Sequence, residues 1–433
     1  MITGLFASTA KRSEQIAGHA CDYLKGLLSE LPRKNMERMG EVMSGVSHED
    51  LQHFISGSPW EHGPVLAWIA RRASGRLGGH RDSMLCIDET CMAKKGVKSA
   101  GVARQYNGRL GKTENSQVGV FSALGCGTRA ALLGARLYLP KAWIEDPARC
   151  RQAGIPDGQI LARTKIDLAQ ELIEEAIANG VEFAHVGMDS FYGRDQGLLR
   201  WIEDRGKGFV ADVPSDLLVR DARPEGAARA GKKGRGTAIT AGEWSARNCK
   251  AGSGTCVTLR TGENGPVIAE AWARRVWLMP KGQTQPRQWW LIVRRDADGA
   301  IKHTLCNAPA DTSLERLARL QGQRYFIERT FQDAKSHAGM AQYQCRGWTA
   351  WHHHMAMVAL AILFVMEEKV LLEHDVPLLS ARDVVEILDW YLRQRPPVQE
   401  VLARVRTRHD RRARLKTHAI RRARKKRRKY IPK

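Results

Sequence analysis

Asp88, Asp189 and Glu328 are the residues whose type and setting could do chemistry. Met84-Leu-Cys-Ile-Asp88 and Phe183-Ala-His-Val-Gly-Met-Asp189 are short apolar runs of strand composition, and each ends by delivering an aspartate. Glu328 lies in Gln323-Arg-Tyr-Phe-Ile-Glu-Arg-Thr-Phe-Gln-Asp-Ala-Lys335. On a helix Arg324, Glu328 and Lys335 share one face. The plain reading of this trio is an i,i+4 ion pair worth about 0.3–0.5 kcal/mol. The chemical reading is a carboxylate that holds a metal while two cations grip phosphates beside it.

A phosphodiester repels an incoming hydroxide or hydroxyl, so its cleavage calls for divalent cations. Hard carboxylate oxygens suit Mg2+, which keeps some waters and leaves positions for phosphate oxygens. Two such ions about 3.5–4 Å apart activate the nucleophile and stabilise the leaving oxygen. Two aspartates and a glutamate bring three negative charges, near the minimum for two divalent ions beside an anion. The expected cofactor is two Mg2+ per site, with Mn2+ as a substitute.

The charge balance points to the same kind of substrate. The chain has 433 residues and a net charge of +23. From Arg404 to Lys433, 16 Lys and Arg stand against one acid, Asp410, so this block carries +15 and leaves +8 for the rest. A block of like charge repels itself and seeks a polyanion. Nucleic acid is the obvious one, because neutralised phosphates release counterions; a merely solubilising tail is the alternative. Arg421, Arg422, Arg424, Lys425, Lys426, Arg427 and Arg428 are its densest part and the candidate contacts.

Hydrophobic content of 43 % and charged content of 27 % are ordinary globular values and argue against wholesale disorder. The longest apolar run, Met355 to Met366, has 12 residues, short of the ~18 that a membrane span needs. The opening MITGLFASTAKRSEQ lacks the basic-then-apolar order of a signal peptide. The expectation is a cytoplasmic protein with no membrane partner. Nine cysteines without a CxxC pair suggest reduced thiols. His352, His353 and His354 are consecutive, so on a helix they point about 100° apart and do not converge on one ion.

The elements that must position the three acids follow from periodicity. Residues 1–80 are expected to be helical. There, Asp50 to Ile55, a turn at Gly57-Ser-Pro-Trp60 and Val65 to Arg72 fit either a helix-turn-helix or a simple bundle. Residues 81–213 carry strand-like runs at 84–88, 101–106, 117–124 and 130–139, then a helix over Thr164 to Ala178. The 183–189 strand, a helix over Asp195 to Glu203 and a strand over Gly208 to Val213 complete an α/β order around one sheet. Residues 214–310 combine a Gly/Arg-rich loop at 222–236 with strands at 255–261, 267–279, 289–294 and 301–306, the last two joined by the hairpin signal Asp298-Gly299. This predicts an inserted antiparallel β subdomain. Helix returns at Ser313 through Met366 over residues 311–375, and 376–433 hold C-terminal helices and the basic tail.

Several segments together resemble the catalytic core of bacterial insertion-sequence DDE transposases. They are Ile87-Asp-Glu-Thr90, Lys94-Lys-Gly96, Gly101-Val-Ala-Arg-Gln-Tyr106 and Leu137-Tyr-Leu-Pro-Lys141. Gly187-Met-Asp-Ser-Phe-Tyr-Gly193 is similar to that family's second-aspartate segment, and Arg324, Glu328 and Lys335 match the offsets of its third. The third segment's tyrosine position falls on Gln321, a departure that touches the tyrosine's role and leaves the metal ligands as they are. The resemblance spans roughly residues 15–370 and implies a ribonuclease H-like fold with a β insertion between the second and third carboxylates. It also implies Asp88, Asp189 and Glu328 as catalytic metal ligands, and cutting of double-stranded DNA at transposon ends with joining of the 3′-hydroxyl to target DNA. A homodimer on DNA is expected, because two ends must be brought together. Arg324 and Lys335 are the expected phosphate contacts. Lys94, Lys95 and Arg104 are either DNA-side residues or solvated turns, and Trp289 and Trp290 either stack on a displaced base or fill the insertion's core. Two other readings stay open: a DNA-binding protein derived from a transposase that no longer cuts, and a ribonuclease H-like nuclease.

Overall fold

Ser47 starts a helix by reciprocal capping: its hydroxyl accepts from the Asp50 amide at 3.0 Å, and the Asp50 carboxylate accepts from the Ser47 amide at 3.3 Å. That helix is the third of four that precede the sheet: α1 (Ser13–Leu27), α2 (Met36–Val42), α3 (His48–Ser56) and α4 (His62–Leu77). Between α3 and α4 the turn is a packed corner. Trp60 is buried, stacks on Phe54 at 5.3 Å between ring centres and donates its indole N–H to the Phe54 carbonyl at 3.0 Å. The computed structural model describes residues 5–6, 13–43, 45–108, 111–224, 238–262, 265–279, 285–376, 379–392 and 397–429. Side chains are described throughout these except at 42, 261, 262, 392, 404, 411 and 422–429.

The sheet begins with β1 (Met84–Ala93), β2 (Ala103–Asn107), β3 (Lys112–Cys126) and β4 (Arg129–Leu137). The short helices α5 (Lys141–Ile144) and α6 (Pro147–Gln152) lead to α7 (Lys165–Ala178) and β5 (His185–Met188). Then come α8 (Ser190–Gly193), α9 (Gln196–Glu203) and β6 (Gly208–Val213). In space β3 pairs antiparallel with β1 and with β4, while β1, β5 and β6 are parallel. The order β4-β3-β1-β5-β6, three antiparallel strands followed by two parallel ones, is consistent with a ribonuclease H-like sheet. The short β2 occupies the same edge of β3 as β4, further toward the N-terminal end of β3.

The following segment holds β7 (Leu218–Val219), β8 (Ile239–Thr240), α10 (Ala241–Asn248), β9 (Thr255–Gly262), β10 (Gly265–Leu278), β11 (Arg287–Arg295) and β12 (Ile301–Cys306). The strands β9 to β12 are antiparallel neighbours, and β12 pairs antiparallel with β6. They therefore extend the same sheet at its β6 edge and form no second layer. Gly299, with φ +86°, makes the turn between β11 and β12. Most of the Gly/Arg-rich loop expected at 222–236 lies outside the described residues.

The chain ends in α11 (Leu314–His337), α12 (Trp348–Leu372), α13 (Ala381–Leu392) and α14 (Val398–Lys429). A continuous helix from Ser313 to Met366 is not formed, since Gly339 at φ +66° follows the end of α11. No helix among the described residues is long and apolar enough to cross a membrane. The apolar stretch in α12 is core instead, packed between β4 and the helices α1, α3, α4 and α13. Through α12 the N-terminal helices and the sheet share one hydrophobic core.

The three consecutive histidines of α12 point to three different neighbours. His352 meets the Trp348 carbonyl at 3.0 Å, His353 the carbonyls of Ile55 and Trp60, and His354 the Tyr23 hydroxyl at 2.7 Å. Burial drives the pKa of His62 and His185 down to about 4 and that of His354 to about 3. Histidines kept neutral contribute stability that is present above their ordinary 6.5 and is lost as pH falls toward the folded-state values. The chain is therefore expected to lose about 1–2 kcal/mol per such histidine between pH 7 and pH 5. Urea unfolding at the two pH values checks this, and an unchanged midpoint would contradict neutral burial. All nine cysteines are free thiols.

Candidate active site

The register of the parallel strands sets the site. Ile87 of β1 lies level with Met188 of β5, and Met188 with Ala211 of β6. The next residue on each strand path is an acid: Asp88, Asp189 and Asp212. These three stand in a row on neighbouring strands, which lie about 4.8 Å apart. Helix α11, packed on β1, β3 and β6, brings Arg324 and Glu328 to the same row.

Each acid is held by its local backbone. Asp88 accepts the Glu89 amide at 2.7 Å. Asp189 caps α8, with one oxygen accepting the amides of Phe191 at 3.0 Å and Tyr192 at 3.3 Å. Gly193 closes that turn against β6, where a Cβ would stand 2.0 Å from the Asp212 carbonyl, so no side chain is tolerated. The neighbouring acid Glu89 serves a different purpose. It pairs with Lys165 at 2.6 Å and so ties β1 to the start of α7.

Arg324 is the cation among these acids. Its Nε lies 3.3 Å from Asp212 and its Nη2 2.5 Å from Glu328. Burial pulls its pKa down, but the facing carboxylates of Asp212, Glu328, Asp88 and Asp189 outweigh that and raise it. Asp88 is pushed up to about 7, mainly by burial; Asp189 and Glu328 add to the rise, while Arg324 and the Glu89 amide oppose it. One guanidinium thus does not balance the four carboxylates.

This donor set fits a hard divalent cation. The oxygens are carboxylates, and a bound cation would offset the burial, and to a lesser degree the neighbouring carboxylates, that raise Asp88. Convergence is incomplete: among the described residues no three acidic, histidine or cysteine side chains are gathered closely enough to hold an ion. Glu328 is exposed and engaged with Arg324.

The expected cationic residues fall in different places. Lys335 is half-buried, within electrostatic range of Cys91 on the strand that carries Asp88. Lys95 and Arg104 are exposed. Lys94, expected on the DNA side, is instead turned inward: its ammonium sits 3.2 Å from the centre of the Tyr343 ring, and burial lowers its pKa to about 8. Arg421 is exposed on α14, while the side chains of Arg422, Arg424, Lys425, Lys426, Arg427 and Arg428 lie outside the described residues. Trp289 is core, buried and hydrogen-bonded to Glu203 at 2.9 Å, and half-buried Trp290 donates to the Pro309 carbonyl at 3.0 Å.

Gln321, at the position where a tyrosine was expected, is buried and donates to the Thr304 hydroxyl at 2.6 Å. Tyr325 lies beside Glu328 under the Arg260 guanidinium, 3.5 Å from ring centre to cation, and lines a cavity of about 370 Å3 between α11 and the extended sheet. Asp212 was missed by sequence reasoning. Its signal, an acid near the end of an apolar strand, is the one that revealed Asp88 and Asp189.

Comparison with known proteins bears on the family. The family described as DDE superfamily endonuclease matches residues 5–272, well over half of the chain, a stretch that includes Asp88 and Asp189 and ends before Glu328. A protein of Microchaete diplosiphon described as "Probable transposase for insertion sequence element IS701" is 32 % identical over 196 residues, 45 % of this chain and 48 % of that protein. The chain thus spans about half the length of the curated relative it matches.

Proposed function

The chain belongs to the DDE superfamily of endonucleases, and on that premise we propose that it is a transposase. It binds the terminal inverted repeats of an insertion sequence, cuts phosphodiester bonds at the ends and joins the freed 3′-hydroxyl to target DNA. The observation that carries this reading is the level placement of Asp88 and Asp189, with Glu328 and Arg324 brought to them by α11.

Asp88, Asp189 and Glu328 would hold two Mg2+, or Mn2+ in their place, which supply Lewis-acid activation of the attacking and leaving oxygens. Backbone amides fix Asp88 and Asp189, which would keep their carboxylates oriented toward the ions. Glu328 completes the set from the neighbouring helix. Arg324 and Lys335 supply positive charge to phosphates flanking the scissile bond, and exposed Lys95 and Arg104 extend that surface. The helices of residues 1–80 dock on DNA, residues 81–213 and 311–375 form the catalytic core, and residues 214–310 extend its sheet. The basic tail within 376–433 neutralises phosphates without sequence preference. A homodimer on DNA brings the two ends together.

The test is an end-labelled duplex carrying the inverted repeats that flank this reading frame, compared with unrelated duplex and with RNA. Cutting in Mg2+ confined to the repeat ends is expected. Cutting indifferent to sequence would replace the transposase with a plain nuclease, and binding without cutting would leave a DNA-binding protein.

A further inference from the structure

Asp212 has no place among the three acids above, yet it is held by side chains from two other elements. The Thr304 hydroxyl donates to its Oδ1 at 2.6 Å, and the Gln321 amide in turn donates to Thr304 at 2.6 Å. Its other oxygen faces Arg324 Nε at 3.3 Å. The result is a line of contacts that leaves α11 at Gln321, crosses β12 at Thr304 and β6 at Asp212, and returns to α11 at Arg324 and Glu328. Thr304 and Gln321 are both buried, so the line is fixed at its inner end.

From this geometry we propose that Asp212 is a positioning residue that shares Arg324 with Glu328 and so limits how fully the guanidinium neutralises the carboxylates meant for the divalent cation. The argument is electrostatic. Arg324 faces Asp88, Asp189 and Glu328 as well as Asp212. A cation held at one end by Asp212 competes less with an incoming ion for the other three. With Asp212 neutral, the whole of its charge falls on them, and a divalent ion must displace a stronger rival. Gln321 stands where the family resemblance expected a tyrosine, and its bond to Thr304 anchors this arrangement. The inference rests on the proposed metal-dependent reading of the site.

Asp212→Asn is the suitable variant. It keeps an oxygen to accept from Thr304 and removes only the charge that faces Arg324. Two readouts are needed: Mn2+ binding to the full chain without DNA, followed by electron paramagnetic resonance of the free ion, and the Mg2+ concentration that half-saturates cleavage. Both are expected to weaken about five- to tenfold, the lower range for coupled sites, with the rate at saturating Mg2+ within about threefold of wild type. Asp212→Glu should restore both in part. Thr304→Val, which removes the anchor and keeps the charge, should shift both in the same direction by less, and serves if the asparagine variant does not fold. Unchanged Mn2+ affinity in Asp212→Asn overturns the proposal. So does a reduced number of bound ions, which would make Asp212 a ligand. A wild-type chain that binds no Mn2+ overturns this inference and the reading beneath it together, whereas a metal-dependent wild type matched by Asp212→Asn overturns this inference alone.

Discussion

Asp189→Asn is expected to stop cleavage while folding and DNA binding persist. The asparagine keeps the oxygen that accepts the Phe191 and Tyr192 amides, so the α8 turn stays capped. What it loses is one negative charge from the set that balances the cations. The expected loss is on the order of 10³-fold, the scale seen when one preorganised electrostatic group is removed from a reaction centre. Asp88→Asn should behave alike, because its oxygen can still accept the Glu89 amide. This second variant carries an added signature. The carboxyl of Asp88 has its pKa raised to about 7 by burial and by Asp189 and Glu328. A carboxyl raised in the fold contributes stability that is present below its ordinary 3.8 and is lost as pH rises through about 7. The metal-free Asp88→Asn chain should therefore melt above the wild type at pH 8, with the gap closing near pH 4. Single-turnover cleavage, a mobility-shift assay and melting at the two pH values decide the matter. A variant that cuts at near wild-type rate, or one that melts lower at pH 8, contradicts it.

Trp351→Ala is expected to cost about 3–5 kcal/mol of stability, the range for emptying a large aromatic from a core. Trp351 is 1 % exposed and lies where α12 meets β3, with its ring 6.1 Å from that of Phe121. Gly119 makes room for it: a Cβ there would lie 2.6 Å from the Phe121 ring and 3.0 Å from Trp351. A cavity at this joint is felt globally, because α12 also carries the N-terminal helices. Urea unfolding should show the full loss for alanine and a much smaller one for Trp351→Phe. A loss below about 1 kcal/mol would place Trp351 outside the load of the core.

Asp88 and Asp189 were legible because a short apolar run that ends on an acid is a local pattern. That the two stand level is a matter of strand register, which no local pattern carries. Asp212 shows the limit: it has nearly the same signal, but its partners Thr304 and Arg324 come from remote segments. Lys94 shows the opposite error. Lys94-Lys-Gly96 has the composition of a solvated turn, and only the approach of Tyr343, 249 residues away, turns the ammonium inward. The strands at 255–306 were visible as strand-like runs and through Asp298-Gly299. Their continuation of the same sheet depends on β12 pairing with β6 and is not written in either strand. The spacing of His352, His353 and His354 sufficed to set aside a shared metal, whereas the carbonyls and the tyrosine that receive them belong to tertiary packing.

The central claim is that Asp88, Asp189 and Glu328 act together on DNA at an element's ends. The most direct measurement maps the products formed by the full chain and by Glu328→Gln on an end-labelled duplex spanning one inverted repeat and its flank, with Mg2+ and with EDTA. The wild type in Mg2+ should leave a 3′-hydroxyl at the repeat boundary, and EDTA or Glu328→Gln should leave the duplex bound and intact. Cleavage that survives in Glu328→Gln, or that proceeds in EDTA, would contradict the account.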